Sequence, residues 1–149
     1  MSDTIFDKIV RKEIPSFDVW EDDKFLAFLT PFPNTPGVTV VIPKTNPGHN
    51  LFELEDSDYS ELLLAKKVVK KLEKALNVKR VAMVVEGTGI PYVHVKLYPL
   101  YGEKAEHFSV DNVNVEFNEQ YRGWLTTMEG PKMDDLRLKE IQEKIKGAN

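Results

Sequence analysis

Cysteine is absent from this chain. That absence excludes disulfides, thiolate metal ligands and cysteine nucleophiles, and it suits a reducing compartment. Histidine is scarce: His49, His94 and His107 are the only three, so a site built on imidazole has few candidates. Long hydrophobic runs are missing, none approaching the ~18 residues of a membrane span. The opening "MSDTIFDKIV" has no basic stretch leading into an apolar one, and no signal peptide is expected. Positive charge is not in excess. With a formal net charge of −4, specific nucleic-acid binding is not expected. The expectation is a soluble cytoplasmic protein that does not associate with membranes. Its 149 residues are enough for one compact domain, and 42% hydrophobic with 30% charged residues is ordinary globular composition.

What is present reads as alternating strands with a few helices. In "TIFDKIVRKEIPS" the apolar Ile5, Phe6, Ile9 and Val10 recur one turn apart, predicting a short helix that ends near Pro15. "FDVWEDD" and "KFLAFLT" predict a hairpin, and "VTVVIPK" a further strand stopping at Pro43. Between them, "PFPNTPG" packs three prolines and a glycine into seven residues, a stiff loop. "TNPGHN" is another loop. The longest helix is predicted in "FELEDSDYSELLLAKKVVKKLEKALN", capped by Asp56 or Ser57, with Leu62, Ala65, Val69, Leu72 and Leu76 as its buried stripe. Lys67, Lys70, Lys71 and Lys74 lie off that stripe, as on any solvated face. "RVAMVVEG" and "PYVHVKLYPL" are two more strands flanking "GTGI". Strands dominate the first two-thirds, which predicts an α+β domain: an antiparallel sheet with helices on one face. From Gly102 the character becomes polar, ending in a helix whose Leu138, Ile141 and Ile145 share a face. This gives a domain over residues 1–101 and an extension over 102–149, packed on the domain or across a dimer.

The last strand carries the candidate chemistry. Alternation sends Val93, Val95 and Leu97 to the core, and Tyr92, His94, Lys96 and Tyr98 to the other face. A tyrosine, an imidazole and an ammonium in a row can grip an anion such as phosphate. A half-buried strand shows the same alternation with no function at all. Gly87 and Gly89 in "EGTG" are positions where backbone can approach a ligand and offer N–H groups to phosphate. They are equally the marks of any tight turn. Phe17, Trp20, Phe28 and Phe32 can stack a base or pack a core. The core is the safer assignment for most, and Phe32 in the proline loop is the best stacking candidate.

The order of these blocks resembles the histidine-triad (HIT) family of nucleotide-binding hydrolases and transferases, over roughly residues 4 to 101. "TIFDKIVRKEIPS" is similar to the family's opening helix, and "FLAFLTPFPNTPGVTVVIPK" to its strand, proline loop and "VIPK" segment. "IPYVHVKLYP" falls where the family carries three histidines separated by single hydrophobic residues. Aligned on Pro91 and Pro99, Tyr92, His94 and Lys96 occupy the three triad positions. The resemblance implies an antiparallel five-stranded sheet with one long helix, and a homodimer in which two sheets become one. It implies that His94 attacks the α-phosphorus of a nucleotide or dinucleoside polyphosphate. Lys96 stabilises the phosphoryl oxygens, and Tyr92 positions His94 or a phosphate oxygen through its hydroxyl. Gly87, Gly89, Thr30, Phe32, Asn46 and His49 are the implied nucleotide- and phosphate-binding residues.

The chain departs from the family's pattern at several points. Two triad histidines are absent, Thr30 stands for the ribose-binding acid, Val38 ends "PGV" in place of "PGH", and Asn46 matches the histidine that often follows "IPK". His49 is a substitute for that lost histidine through a shifted loop. The family's frequent zinc-ligand cysteines correspond to Thr4 and Asp7, so neither a structural metal nor a cofactor is implied. His107 is assigned to solvent or tail packing. Trp124 is the expected anchor by which the extension adds dimer contacts or covers the nucleotide site.

Overall fold

A computed structural model describes residues 3–102, 117, 119–120 and 130–148, which excludes His107 and Trp124. Five strands form one antiparallel sheet in the order β1-β2-β3-β5-β4: β1 (Phe17–Glu21), β2 (Phe25–Leu29), β3 (Thr39–Pro43), β4 (Arg80–Glu86) and β5 (His94–Leu100). Helix α1 spans Ile5–Val10, α2 Asp56–Glu61, α3 Ala65–Leu76 and α4 Asp135–Lys146. A single 3₁₀ turn, Leu62–Leu64, joins α2 to α3, so 56–76 is the one long helical run expected from the sequence.

Alternate residues of the strands feed two cores. Val19, Phe25, Ala27, Leu29, Val41, Val93, Val95 and Leu97 pack with α3 and α4. Leu26, Phe28, Val40, Ile42 and Tyr92 pack with Phe6 and Ile9 of α1. Both faces are therefore covered, whereas helices on one face were expected. α1 is the reason: its two buried residues are enough to shield the second face next to β5. Strands β2 and β3 are buried along almost their whole length, as sheet centres covered on both sides must be.

Local chemistry explains the helix boundaries. Thr4 and Asp7 form a capping box: Asp7 N–H donates to the Thr4 hydroxyl at 3.3 Å, and Thr4 N–H to the Asp7 carboxylate at 2.7 Å. α1 ends well before Pro15. Lys12 is left-handed (φ 61°), with Lys12 N–H donating to the Ile9 carbonyl at 2.9 Å and Glu13 N–H to the Lys8 carbonyl at 2.9 Å. This is a Schellman termination, here on lysine rather than glycine. The long run begins after Glu55, which makes no side-chain cap, so neither Asp56 nor Ser57 caps it. Its buried stripe uses Val68, with Val69 only half-buried. The 3₁₀ turn shifts the angular phase between Leu62 and the residues after it.

α4 is capped by Asp134, which accepts from Leu136 and Arg137 N–H at 2.9 and 3.3 Å. Leu138, Ile141 and Ile145 enter the main core of the same chain. Lys71 on α3 donates to the carbonyls of Lys146 and Ala148, both at 3.0 Å, at the negative end of α4. One of the four lysines set aside as a solvated face thus ties the two helices together.

Candidate functional site

Cross-strand register assembles the site. On β5, His94 is paired with Glu86 of β4, and Lys96 with Val84 on one side and Val40 of β3 on the other. His94 and Lys96 share a face, so Glu86 lies against both. Its carboxylate is 3.3 Å from His94 Nε2 and forms an ion pair with Lys96 Nζ.

The His94 ring is held from three directions. It is 1% exposed. Its Nδ1 is 2.8 Å from the Tyr92 carbonyl oxygen. A carbonyl only accepts, so Nδ1 carries the proton, and in the neutral ring Nε2 keeps its lone pair. Phe6 of α1 stands edge-on to the imidazole, with centroids 5.0 Å apart, and makes similar contacts with Tyr92 at 5.6 Å and Phe28 at 5.9 Å. Burial favours the uncharged ring and pulls the His94 pKa below its ordinary value. Burial also acts to raise the Glu86 carboxyl, but the hydrogen bond from Lys96 and the lysine's charge outweigh it and hold Glu86 low. Glu86 is thus a carboxylate and His94 a neutral imidazole near neutral pH.

A cavity of about 580 Å³ opens beside these groups. Its wall is mainly apolar, from Phe6, Ile9 and Ile14 around α1 to Phe28, Phe32 and Ile90. Glu86 and Lys96 are the charged residues of its lining, with His94, Thr30 and Gly89 also present.

The structure brings together His94, Lys96, Gly89, Thr30 and Phe32 from the sequence-derived set. Phe32 is 41% exposed at the cavity, whereas Phe28 is buried in the second core and Trp20 packs against the main one. Phe17 both lines the cavity and packs against the main core. The Thr30 hydroxyl accepts from Phe32 N–H at 3.2 Å, which fixes the start of the proline loop.

Tyr92 sits differently from expectation. It is completely buried, and its hydroxyl donates to the Pro43 carbonyl. Its contribution to His94 comes through its main-chain carbonyl. Gly87 packs against the next loop: a Cβ there would lie 2.1 Å from the His49 carbonyl oxygen. Asn46 faces a different cavity, beside Lys24, Lys44 and Glu61, and its side chain accepts from Gly48 N–H at 2.9 Å. His49 meets Gly87 through its backbone and is not part of the wall around His94. Neither residue lines the cavity around His94.

Glu86 is the residue of this cluster that sequence reasoning passed over. Its signal was the β4–β5 register, which sets it opposite His94. Thr4 and Asp7, at the positions of the family's zinc ligands, bond to each other instead. Among the described residues no group of three or more His, Cys, Asp or Glu side chains converges to hold a metal ion.

Comparison with known proteins identifies the family. A family model described as the HIT domain matches residues 11–99. An uncharacterized HIT-like protein of Borreliella burgdorferi is 47% identical over 76 residues, 51% of this chain and 52% of that protein. The chain thus spans about half the length of that relative. An uncharacterized HIT-like protein of Methanocaldococcus jannaschii is 32% identical over 120 residues, covering 75% of this chain and 92% of that one. A crystal structure of a HIT-like protein of Bartonella henselae superimposes with TM-score 0.69 at 25% identity, over 98% of this chain and 96% of its own.

Proposed function

Because the chain belongs to the HIT-domain family, we propose that it binds a nucleotide in the cavity beside α1 and cleaves it at the α-phosphate through His94. The observation that carries this reading is the state of the imidazole: Nδ1 is held by the Tyr92 carbonyl at 2.8 Å, and Nε2, which keeps its lone pair in the neutral ring, lies 3.3 Å from the Glu86 carboxylate beside the cavity.

The Nε2 lone pair attacks the α-phosphorus. A P–N bond forms as the bond to the leaving group breaks, and the leaving group departs with the electron pair and takes a proton from solvent. The positive charge that develops on the ring is stabilised by the Nδ1–H bond to Tyr92. Water then attacks phosphorus, the P–N bond breaks, its electrons return to Nε2, and the water's proton passes to solvent. The product is a nucleoside monophosphate. With another acceptor in place of water, the same intermediate makes the protein a nucleotidyl transferase.

Dinucleoside polyphosphates and nucleoside phosphoramidates both carry the reacting bond. Lys96 supplies a point charge for the phosphoryl oxygens, and Gly89 leaves backbone accessible beside them. Phe32 offers a face for the base and Thr30 a hydroxyl near the sugar. The expected assembly is a cytoplasmic homodimer. The sheet order leaves β4 at one edge, a strand to which a second copy's sheet can add.

One observation favours a second reading, a module that holds a nucleotide without turnover. Lys96 is committed to Glu86 and the Tyr92 hydroxyl to Pro43, so neither flanks Nε2 as a proton shuttle. Intact-mass measurement after mixing with an adenylate donor separates the two. A gain of one adenylyl group, lost in His94→Ala, supports the enzyme. Calorimetric binding with neither adduct nor released adenosine monophosphate supports the module.

A further inference from the structure

The outward face of α3 carries a charge pattern that the cavity does not use. α3 packs on the main-core side of the sheet, while α1 and its cavity lie on the other. The buried residues of α3, Ala65, Val68, Leu72, Ala75 and Leu76, share one side of the helix. Lys66, Lys67, Lys70 and Lys74, all exposed, fall within an arc of about 100° on the opposite side. Lys79 and Arg80, also exposed, follow just beyond Asn77, the left-handed residue that ends the helix. Residues 66–80 hold seven lysines and arginines against one acid, Glu73, a formal charge of +6. The whole chain carries −4, so its other residues carry −10. Little of the basic charge is compensated. Glu73 pairs with Lys70 at 2.6 Å, and Lys71 is turned toward α4. Among the described residues no ion pair engages Lys66, Lys67 or Lys74. Lys66 with Lys70, Lys67 with Lys71, and Lys70 with Lys74 are like charges one turn apart, an arrangement that works against the helix. Mixed charges would serve solubility as well and add favourable pairs.

We infer that this face is a docking surface for a short acidic segment of a partner protein. Lys66, Lys70 and Lys74 stand about 6 Å apart along the helix axis. An extended chain sets alternate side chains about 6–7 Å apart on one face. A segment with an acid at every second position therefore brings one carboxylate to each of these lysines. The surroundings limit the partner's size. Glu53, Glu55, Asp56, Asp58 and Glu61 precede the lysines in the chain. Glu61 is about 8 Å from Lys66 along the helical run, inside the Debye length of about 10 Å at 0.1 M salt. A nucleic-acid duplex or an anionic bilayer extends past the roughly 12 Å of the lysine stripe and meets that acidic flank. α3 also contains no aromatic residue and no arginine on which a base could stack. A short acidic segment fits the stripe and ends before the flank.

The test uses the full chain and a fluorescein-labelled peptide of alternating glutamate and serine, with dissociation constants from anisotropy. The wild type is expected to bind the peptide at about 50 mM salt and to lose about tenfold in affinity at about 200 mM. The triple variant Lys66→Gln, Lys70→Gln, Lys74→Gln keeps good helix formers and is expected to bind about tenfold more weakly at the lower salt. A second triple variant, Lys8→Gln, Lys132→Gln, Lys139→Gln, removes the same charge from exposed positions elsewhere and is expected to stay within about twofold of wild type. Circular dichroism checks that both variants keep their helix content. A wild type that does not bind the peptide at the lower salt overturns the inference. Equal losses in the two triple variants overturn it as well, because net charge rather than this face would then hold the peptide. So does tighter binding, at the same salt, of a thymidine oligonucleotide or of phosphatidylcholine vesicles containing about 30% phosphatidylserine.

Discussion

His94 Nδ1 lies 2.8 Å from the carbonyl oxygen of Tyr92, two residues earlier on the same face. A backbone group thereby fixes the tautomer, which leaves Tyr92 free to spend its hydroxyl on Pro43 and its ring on Phe6. The tyrosine at the first triad position acts as a packing piece whose main chain does the orienting. The lysine at the third position is matched by a carboxylate from the neighbouring strand. Relative to a row of histidines, the proton-carrying capacity beside Nε2 has been exchanged for a fixed ion pair.

The first prediction concerns pH. Burial lowers the His94 pKa from its ordinary 6.5, and the nucleophile must be neutral to attack. The acid limb of adduct formation or turnover is expected below pH 6.5. The same shift acts on stability. The unfolded chain takes up the proton first as pH falls, so the contribution is whole above 6.5 and is lost as pH drops from there through the native value. Urea midpoints of wild type and His94→Asn, compared at pH 8 and at pH 5.5, should draw closer together at the acid pH. A wild-type acid limb at or above 6.5 would contradict the placement of His94.

Tyr92→Phe separates the two roles open to that tyrosine. Loss of its hydroxyl leaves the Pro43 carbonyl without that donor in a buried setting, and a loss of about 1–3 kcal/mol is expected in chemical denaturation. The backbone carbonyl that holds His94 is untouched, so the adenylyl adduct should still form under conditions where the variant is folded. A folded Tyr92→Phe protein unable to form the adduct would return the orienting role to the hydroxyl.

Much of the architecture was legible because it depends on local pattern. Period-two runs gave the strands, and the apolar spacing in 56–76 gave the long helix. The faces of β5 were also readable: Val93, Val95 and Leu97 do enter the main core. What escaped was set by contacts distant in sequence. That α1 covers the second face, burying Tyr92 and His94, depends on Phe6 meeting β5 nearly ninety residues later in the chain. Glu86 escaped for a related reason. The turn between β4 and β5 covers residues 87–93 rather than a two-residue hairpin, so no turn type fixed the register that sets Glu86 opposite His94. Asn46 and His49 were placed by analogy of sequence position, and the loop's own bonds aim Asn46 elsewhere.

The two glycines near the site should respond differently. A Cβ on Gly87 would stand 2.1 Å from the His49 carbonyl oxygen, while one on Gly89 meets nothing within 4 Å. Gly87→Ala must push back the loop whose Gly48 carbonyl accepts from Val93 N–H at 2.8 Å, next to His94. A loss on the order of 1–3 kcal/mol is expected, as for other substitutions that overfill packed space. Gly89→Ala should stay within about 0.5 kcal/mol of wild type. Equal urea midpoints for the two variants would show that the close contact at Gly87 is not structural.

The last prediction concerns the proline loop, which carries Phe32 and begins at Thr30. Residues far along the chain fasten it: Gly130 N–H donates to the Phe32 carbonyl at 3.2 Å, Met133 N–H to the Pro31 carbonyl at 2.9 Å, and the Tyr101 hydroxyl to the Pro36 carbonyl at 3.0 Å. Gly130 is the tight point, since a Cβ there would approach the Pro33 carbonyl oxygen to 2.4 Å. Gly130→Val must lift this segment and release the rim of the cavity, whereas His94 is oriented by Tyr92 and Phe6, which the change does not reach. Nucleotide affinity is therefore expected to fall severalfold, while the rate of adduct formation at saturating donor stays near the wild-type value. Rapid-mixing measurements over a range of donor concentrations give both quantities from one experiment. A fall in the saturated rate with affinity intact would mean that the C-terminal segment acts on the chemistry at His94 rather than on the rim that receives the base.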